Sequence, residues 1–379
     1  MHLNVAAALI VNAAGEVLCV KRGASKFAST AYRWEFPGGK LEPGETAAQA
    51  AVREVSEELK MNIRAIADAP VVHHVYPEFS IDLNGILCVC DDGCCEPVLT
   101  EHTEYCWCAP DRLTMLDFAA ADTAILQWLR ERTFGSFLKT KLLGRAATFL
   151  DTCTSTNDEL LKRAEAGAPE GTLVVSEVQT AGRGRLGRTW LSEPGQGLLF
   201  SLLLRPDFPP EIAATLPLVA GLAVTLALRD IGVEAGLKWP NDVLVGDRKI
   251  CGILCEAQTS AQGIEGIVVG IGINVGAVPE AVAYRAVGLD GRIDRLDLLA
   301  RVLKAFESLH ERWSTGGLPA LRAELDALDI KRGNPITVKL GTAPTEGISR
   351  GIRDDGALLL EHPDGSVEPI LCGEIAQWD

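Results

Sequence analysis

Gly39-Lys40-Leu41-Glu42-Pro43-Gly44-Glu45 runs directly into Thr46-Ala47-Ala48-Gln49-Ala50-Ala51-Val52-Arg53-Glu54-Val55-Ser56-Glu57-Glu58. The glycines and proline mark a loop, and Thr46 with Gln49 has the spacing of a capping box, so a helix starts here. Within that helix Glu54, Glu57 and Glu58 stand at i, i+3 and i+4, which puts three carboxylates on one face, where like charges repel. A solvated face is the ordinary reading of such a run. The other reading is a hard divalent cation: Mg²⁺ neutralises clustered carboxylates and shares its remaining positions with water and substrate phosphates.

Outward from this segment the chain has 379 residues, room for two or three domains at roughly 150 residues each. Its residues are 47% hydrophobic and 23% charged, the balance of a globular protein rather than a disordered one. No stretch approaches the roughly 18 consecutive apolar residues of a membrane span. The first residues lack a basic start and a cleavage site, so a cytoplasmic location and no membrane partner are expected. A net charge of −15 opposes a phosphate backbone, which argues against DNA as a partner. The 11 cysteines are odd in number and show no CxxC pair, and the 6 histidines lack finger spacing, which argues against structural zinc. Reduced buried thiols are expected, with Cys94-Cys95 after Asp91-Asp92-Gly93 read as a turn.

Residues 5–11 and 17–20 read as a hairpin, followed by the helix above and further strands up to residue 132. Residues 133–145 show no strong periodicity and are read as a linker. From 146 to 330 strands and helices alternate irregularly, with helices over 157–166 and 217–228 and a strand over 172–177, as in a mixed α/β domain. Residues 331–379 change to short alternating runs between Asp354-Asp355-Gly356 and Pro363-Asp364-Gly365 turns, a small all-β module.

Gly39, five residues, Glu45, seven residues and Arg53-Glu54-Val55-Ser56-Glu57-Glu58 resemble the Nudix box. That is the signature of Mg²⁺-dependent hydrolases of nucleoside diphosphate derivatives. Trp34-Glu35-Phe36-Pro37-Gly38-Gly39-Lys40 and Ala120-Ala121-Asp122 extend the resemblance to the MutT-like branch over residues 1–132. It implies an α/β/α sandwich acting on nucleoside triphosphates. In it Glu54, Glu57 and Glu58 hold metal, Gly39 adds a backbone carbonyl and Arg53 pairs with Glu45. Glu54 and Glu57 are the catalytic residues it implies, water attacks phosphorus, and a nucleoside monophosphate and pyrophosphate are released. Asp122 stands where that branch reads the base; its plainer reading is the N-cap of a helix over 123–130. Glu101 and Glu104 are further candidates for a catalytic carboxylate. One position departs: Lys60 replaces the glycine that usually stops the helix.

Gly182-Arg183-Gly184-Arg185-Leu186-Gly187 matches GxGxxG literally. A dinucleotide fold needs a helix directly after the glycines, whereas Arg188-Thr189-Trp190 leads into Ser192-Glu193-Pro194-Gly195-Gln196-Gly197, which does not form one. The three arginines suit a loop that clamps a polyphosphate. With Thr154-Ser155-Thr156-Asn157, Leu237-Lys238-Trp239-Pro240-Asn241-Asp242 and Gly270-Ile271-Gly272-Ile273-Asn274, the loop resembles the catalytic domain of biotin protein ligases. The terminal β-module is similar to that family's SH3-like C-terminal domain.

The resemblance implies activation of biotin by ATP, with Mg²⁺, to biotinyl-5′-AMP, then transfer to a lysine of a biotin carboxyl carrier protein. Lys238 and Arg185 carry the chemistry by offsetting anion repulsion. Ser155, Thr156, Asn157, Gln179, Arg183, Gly184, Arg185 and Lys238 bind biotin, and Arg183, Gly184, Arg185, Arg188, Asn241 and Asn274 bind ATP. Trp190 lines the pocket. Lys238 also reads as a surface lysine beside a buried Trp239, and Asn241-Asp242 as a turn. No helix-turn-helix segment precedes the ligase-like part, so no repressor role is expected, and a homodimer is carried as a candidate assembly.

The expected architecture is therefore α/β multidomain: a Nudix sandwich, a biotin/lipoate ligase-type mixed α/β domain and a small SH3-like β-barrel. The alternatives are a Nudix hydrolase as the main activity with a ligase-like part acting on lipoate or another acyl group or only binding ligand, and a Nudix-like part reduced to a binding module.

Overall fold

The computed structural model describes residues 1–25, 27–90, 96–205, 210–260, 263–340 and 343–376, so the Cys94-Cys95 turn lies outside the described residues. The chain divides into two compact units, 1–137 and 138–379.

In the first unit the apolar run of β1 (His2–Val11) is buried on both sides. Ala6, Ala8 and Ile10 pack with Ala50, Ala51, Val55 and Leu59 of α1 (Ala47–Leu59), while Ala7 and Leu9 pack with Ile125, Leu126 and Leu129 of α2 (Ala120–Phe137). A strand buried on both faces loses its polar alternation, which is why this stretch reads as one continuous hydrophobic run. β1 pairs antiparallel with β2 (Val17–Lys21), and β2 with β3 (Trp34–Glu35). On its other side β1 runs parallel to β5 (Ser80–Cys90), which pairs antiparallel with β4 (Ile63–Val75); β6 (Glu104–Cys108) pairs with β2. The result is a sheet between two helices, the sandwich expected from sequence.

α1 begins with the expected capping box: Thr46 Oγ1 accepts from Gln49 N at 3.2 Å and Gln49 Oε1 accepts from Thr46 N at 2.9 Å. It ends at Lys60, which adopts the left-handed conformation (φ 55°, ψ 30°) usually given to glycine. An L-residue with a Cβ pays about 1 kcal/mol there. Lys60→Gly is therefore expected to stabilise the first unit by about 1 kcal/mol, less the Lys60 Nζ bond to Glu57 O (3.0 Å), as read by urea unfolding. α2 runs on to Phe137, through the first residues of the segment read as a linker, and the unit ends with the helix.

The second unit is built on β7 (Ala147–Cys153), α3 (Thr156–Glu165), β8 (Leu173–Gln179), β9 (Gly197–Leu204), α4 (Pro210–Ala213), α5 (Leu216–Asp230), β10 (Ala235–Lys238), β11 (Asp242–Val245), β12 (Arg248–Ser260), β13 (Gly263–Asn274), α6 (Arg295–Gly316) and α7 (Arg322–Leu328). The strands order as β10-β11-β12-β13-β9-β8-β7, antiparallel except for the β7–β8 pair that α3 connects. α3 packs on Val174, Leu203 and Val268. α5 is apolar almost all round because it is buried between the sheet and α6. Its Gly221 leaves room for Leu237, whose Cδ1 a Cβ would meet at 2.4 Å.

β14 (Pro335–Leu340), β15 (Ala343–Ile352), β16 (Leu358–Glu361), β17 (Val367–Ile370) and β18 (Glu374–Ile375) form the terminal antiparallel sheet, in the order β17-β16-β15-β14-β18. Among the described residues this path is open rather than a closed barrel, since the two-residue β18 pairs only with β14.

Candidate active sites

In the first unit the loop before α1 brings Gly39 against Glu54. A Cβ on Gly39 would lie 2.3 Å from the Glu54 carboxyl carbon, so only glycine leaves the carboxylate this place. Gly39 O accepts from Ala6 N at 2.8 Å, using one of its two lone pairs. Arg53 holds Glu45 through Nε and Nη2 at 2.9 Å each, Glu54 at 2.8 Å and Lys40 O at 3.1 Å. The guanidinium so fixes the loop to the helix and holds Glu45 below the usual carboxylate range. Glu57 is 62% exposed and 3.6 Å from Arg53, whereas Glu54 and Glu58 are largely buried.

Glu58 Oε2 is buried without a hydrogen-bond partner, and burial raises its carboxyl to about 7 against the pull of His102. His102 was not singled out from sequence. Its ring is 6% exposed, with Nε2 3.1 Å from Glu35 Oε1 and Nδ1 4.0 Å from Glu58 Oε2; Glu35 also takes Arg22 Nε at 2.9 Å. Of the two neighbouring glutamates read as candidates, Glu104 is exposed and paired with Lys21 at 2.8 Å, and Glu101 is exposed.

Asp122 is not an N-cap. It lies within the first turn of α2, 6% exposed, and accepts from Phe36 N at 3.1 Å, while Tyr76 Oη takes the Ala121 N–H at 2.9 Å. Burial, with Glu35 nearby, raises its carboxyl to about 8 from a usual 3.8. The folded state then keeps a proton that the unfolded state releases between those values, so this group lowers stability as pH rises through roughly 4 to 8. Asp122→Asn should remove that decline and gain on the order of 1–2 kcal/mol at pH 8. Urea unfolding across pH checks this, and parallel profiles for the two proteins would refute it.

In the second unit a cavity of about 590 Å³ opens above β12 and β13. Its walls include ten of the residues expected from sequence: Ser155, Thr156, Asn157, Gln179, Arg183, Gly184, Arg185, Arg188, Asn241 and Asn274. Ser155 precedes α3 but its hydroxyl makes no cap bond; Gln179 Oε1 instead accepts from Thr156 N at 2.8 Å. Ser201 Oγ lies 2.7 Å from Thr156 Oγ1 and 2.6 Å from Asn157 Oδ1, and Asn157 Nδ2 donates to Glu256 at 2.6 Å.

Glycines in a strand leave room for a close approach to the backbone, and β13 carries Gly270 and Gly272. That room is taken first by the protein's own side chains. A Cβ on Gly270 would meet Asn157 Oδ1 at 2.2 Å, and Cβ atoms on Gly272 and its cross-strand partner Gly252 would meet the Trp190 ring at 2.7 and 2.9 Å. Trp190 thus lies on the sheet as the cavity floor, with Lys249 Nζ 5.6 Å from its ring centroid.

No helix follows the arginine-glycine loop before β9, only a short 3-10 turn over Arg185–Gly187. Its arginines are held by groups that sequence did not reveal. Arg183 pairs with Asp158 at 2.6 Å and Glu256 at 2.9 Å, Arg185 donates to Asn241 Oδ1 at 3.3 Å, and Arg188 makes a fork to Glu374 of β18 at 2.7 and 2.5 Å. Lys238 is not a surface lysine. It is 1% exposed at the end of β10, behind the cavity wall, with Nζ 3.9 Å from Asp242, which pairs with Lys249 at 2.6 Å. Burial lowers its ammonium to about 8, with Asp242 and Glu374 opposing.

Three family descriptions match the chain: NUDIX domain at 1–129, Biotin/lipoate A/B protein ligase family at 149–274, and Biotin protein ligase C terminal domain at 333–377. The Bifunctional ligase/repressor BirA of Bacillus subtilis is 33% identical over 63% of this chain and 76% of its own length. The Biotin--[acetyl-CoA-carboxylase] ligase of Paracoccus denitrificans is 37% identical over 56% of this chain and 92% of its own. A solved biotin protein ligase from Aquifex aeolicus in complex with biotin and ATP shares 32% identity, covers 61% of this chain and 98% of its own, and superposes with a TM-score of 0.53.

Proposed function

We propose, from a chain that belongs to the biotin protein ligase family, an enzyme that joins biotin to a carrier-protein lysine and carries a fused Nudix hydrolase. The single observation that carries the ligase reading is the cavity itself. Three arginines and Lys249 stand around a Trp190 floor, with the polar Ser155-Thr156-Asn157 end beside them. Biotin's carboxylate must approach the α-phosphate of ATP, and these cations offset the repulsion as biotinyl-5′-AMP forms and pyrophosphate leaves. The carrier lysine then attacks the acyl carbon and AMP departs. Ser155, Asn157 and Gln179 suit the ureido end of biotin; Arg183 and Arg188 reach the phosphates when their carboxylate partners release them, and Arg185 when Asn241 does.

In the first unit Glu54, Glu57, Glu58 and the Gly39 carbonyl would hold Mg²⁺. The buried, unpartnered Glu58 oxygen and the cradle that a Cβ on Gly39 would fill suit a small cation. Bound there, Mg²⁺ supplies Lewis-acid activation of a phosphate. Nucleoside triphosphates are its proposed substrates and Asp122 its proposed base reader. Among the described residues no helix is long and apolar enough to cross a membrane, and a cytoplasmic location is proposed. The lipoate alternative has less support, since the relatives above are named as biotin ligases.

Mass spectrometry after mixing the full chain with biotin, MgATP and a biotin-carrier domain tests the ligase. A biotin adduct on the carrier lysine, with AMP released, is expected. A folded protein giving neither adduct nor biotinyl-AMP would overturn the reading.

A further inference from the structure

At one end of the first sheet, on the face that α1 covers farther along, three strands bring together two imidazoles and a carboxylate that lie far apart in sequence. β1 and β5 run in parallel with His2 opposite Ser80 and Asn4 opposite Asp82, and β4 places His73 directly across from Asp82. Side chains two apart in a strand share a face, so His2, Ser80, Asp82 and His73 stand side by side. His2 Nε2 is 3.2 Å from Asp82 Oδ2, and His73 Nδ1 is 2.6 Å from Asp82 Oδ1. The two rings stack at 6.0 Å. All three donor atoms lie within 4.8 Å of one another.

We propose that His2, His73 and Asp82 form a binding site for a divalent first-row transition ion, with Zn²⁺ as its probe. Two imidazole nitrogens and one carboxylate oxygen are borderline donors that suit Zn²⁺, Ni²⁺ or Cu²⁺ rather than Mg²⁺ or Ca²⁺. In a tetrahedral site with bonds near 2.1 Å the donors stand roughly 3.4 Å apart, a spacing bracketed here by donors 2.6 and 3.2 Å from the carboxylate and all within 4.8 Å of one another. Ser80 Oγ lies 3.0 Å from His2 Nδ1 and so turns Nε2 toward Asp82, the outer-shell orientation that metal-binding histidines use. Without the ion, ring N–H groups hold the same carboxylate; a neutral imidazole binds the ion through the other tautomer, its proton moving to the ring nitrogen that faces away. Three protein ligands leave room for water, so the site is open, and it ties β1, β5 and β4 together at one end of the sheet.

The test uses the full chain with excess Mg²⁺ present, so that the Glu54 cluster is not counted, and Zn²⁺ titrated against a colorimetric chelator. One Zn²⁺ per chain is expected, and His73→Ala and Asp82→Asn should each weaken it by at least 10- to 100-fold. His73 is exposed and Asp82 partly exposed at the end of the sheet, away from the packed core, so folding is not at stake, and His2→Ala provides an independent third variant. Co²⁺ in the same site should give visible d–d absorption without the near-ultraviolet band of a thiolate. Unchanged Zn²⁺ affinity in the three variants, or a thiolate band pointing to a cysteine such as exposed Cys372, would overturn the proposal.

Discussion

Lys238→Met is expected to slow formation of biotinyl-5′-AMP by roughly 10²- to 10³-fold, the usual cost of removing one preorganised charge from a transition state. Methionine keeps the volume of the stem and removes the ammonium. Lys238 is 1% exposed, and burial has already brought its pKa down to about 8. Its folded value lies below the usual 10.5, so the unfolded state binds the extra proton between about 8 and 10.5, and this group lets stability rise with pH across that window. Below about 8 the charge is present in the fold and costs stability, so the methionine variant should be at least as stable as the parent near neutrality. Loss of adenylation without loss of stability separates an electrostatic role from a packing one. The same charge predicts that wild-type adenylation falls as pH rises through about 8, while the variant's residual rate does not follow that pH step. Rapid-quench measurement of biotinyl-AMP in a single turnover reads both effects. Equal rates in parent and variant would remove Lys238 from the chemistry.

What sequence made legible was local or carried by a dense motif. The Thr46–Gln49 capping box, the shared face of Glu54, Glu57 and Glu58, and the Arg53–Glu45 pair all lie within a few turns of each other. The apolar run of β1 announced a strand for the same reason. The rest of each site depends on long-range pairing, which period and spacing do not encode. Tyr76, not Asp122, serves the start of α2; His102 reaches Glu58 from a loop where the two glutamates looked better placed. Glu374 meets Arg188 from a terminal sheet whose strands carry no motif. Glycines in a strand mark a close approach to the backbone, but only the fold shows that Asn157 and Trp190 are what approach Gly270 and Gly272. Lys238 was placed in the site by its neighbours in sequence, and only β10 and β11 explain why it lies behind the wall. The segment after residue 132 lacked a clear period, yet α2 continues to Phe137.

Glu57→Gln should reduce Mg²⁺-dependent hydrolysis of nucleoside triphosphates by roughly 10²- to 10³-fold. It should leave biotinylation unchanged, because every residue assigned to the ligase belongs to the second unit. Glu57 is the best of the three carboxylates to change. It is 62% exposed and 3.6 Å from Arg53, so an amide of the same shape alters charge without opening the Arg53–Glu45 brace. Glu58 is a poorer choice: its oxygen is buried and unpartnered, and an amide there would bury two donors beside His102. Pyrophosphate release from a panel of nucleoside triphosphates, with and without Mg²⁺, measures the effect, and carrier biotinylation in the same preparation reports an intact fold. Unchanged phosphohydrolase rates in the variant would mean that the carboxylate face is not the centre of catalysis. The first unit would then stand as a nucleotide-binding module rather than an enzyme. Hydrolysis lost while ligation persists would assign two separate chemistries to one chain.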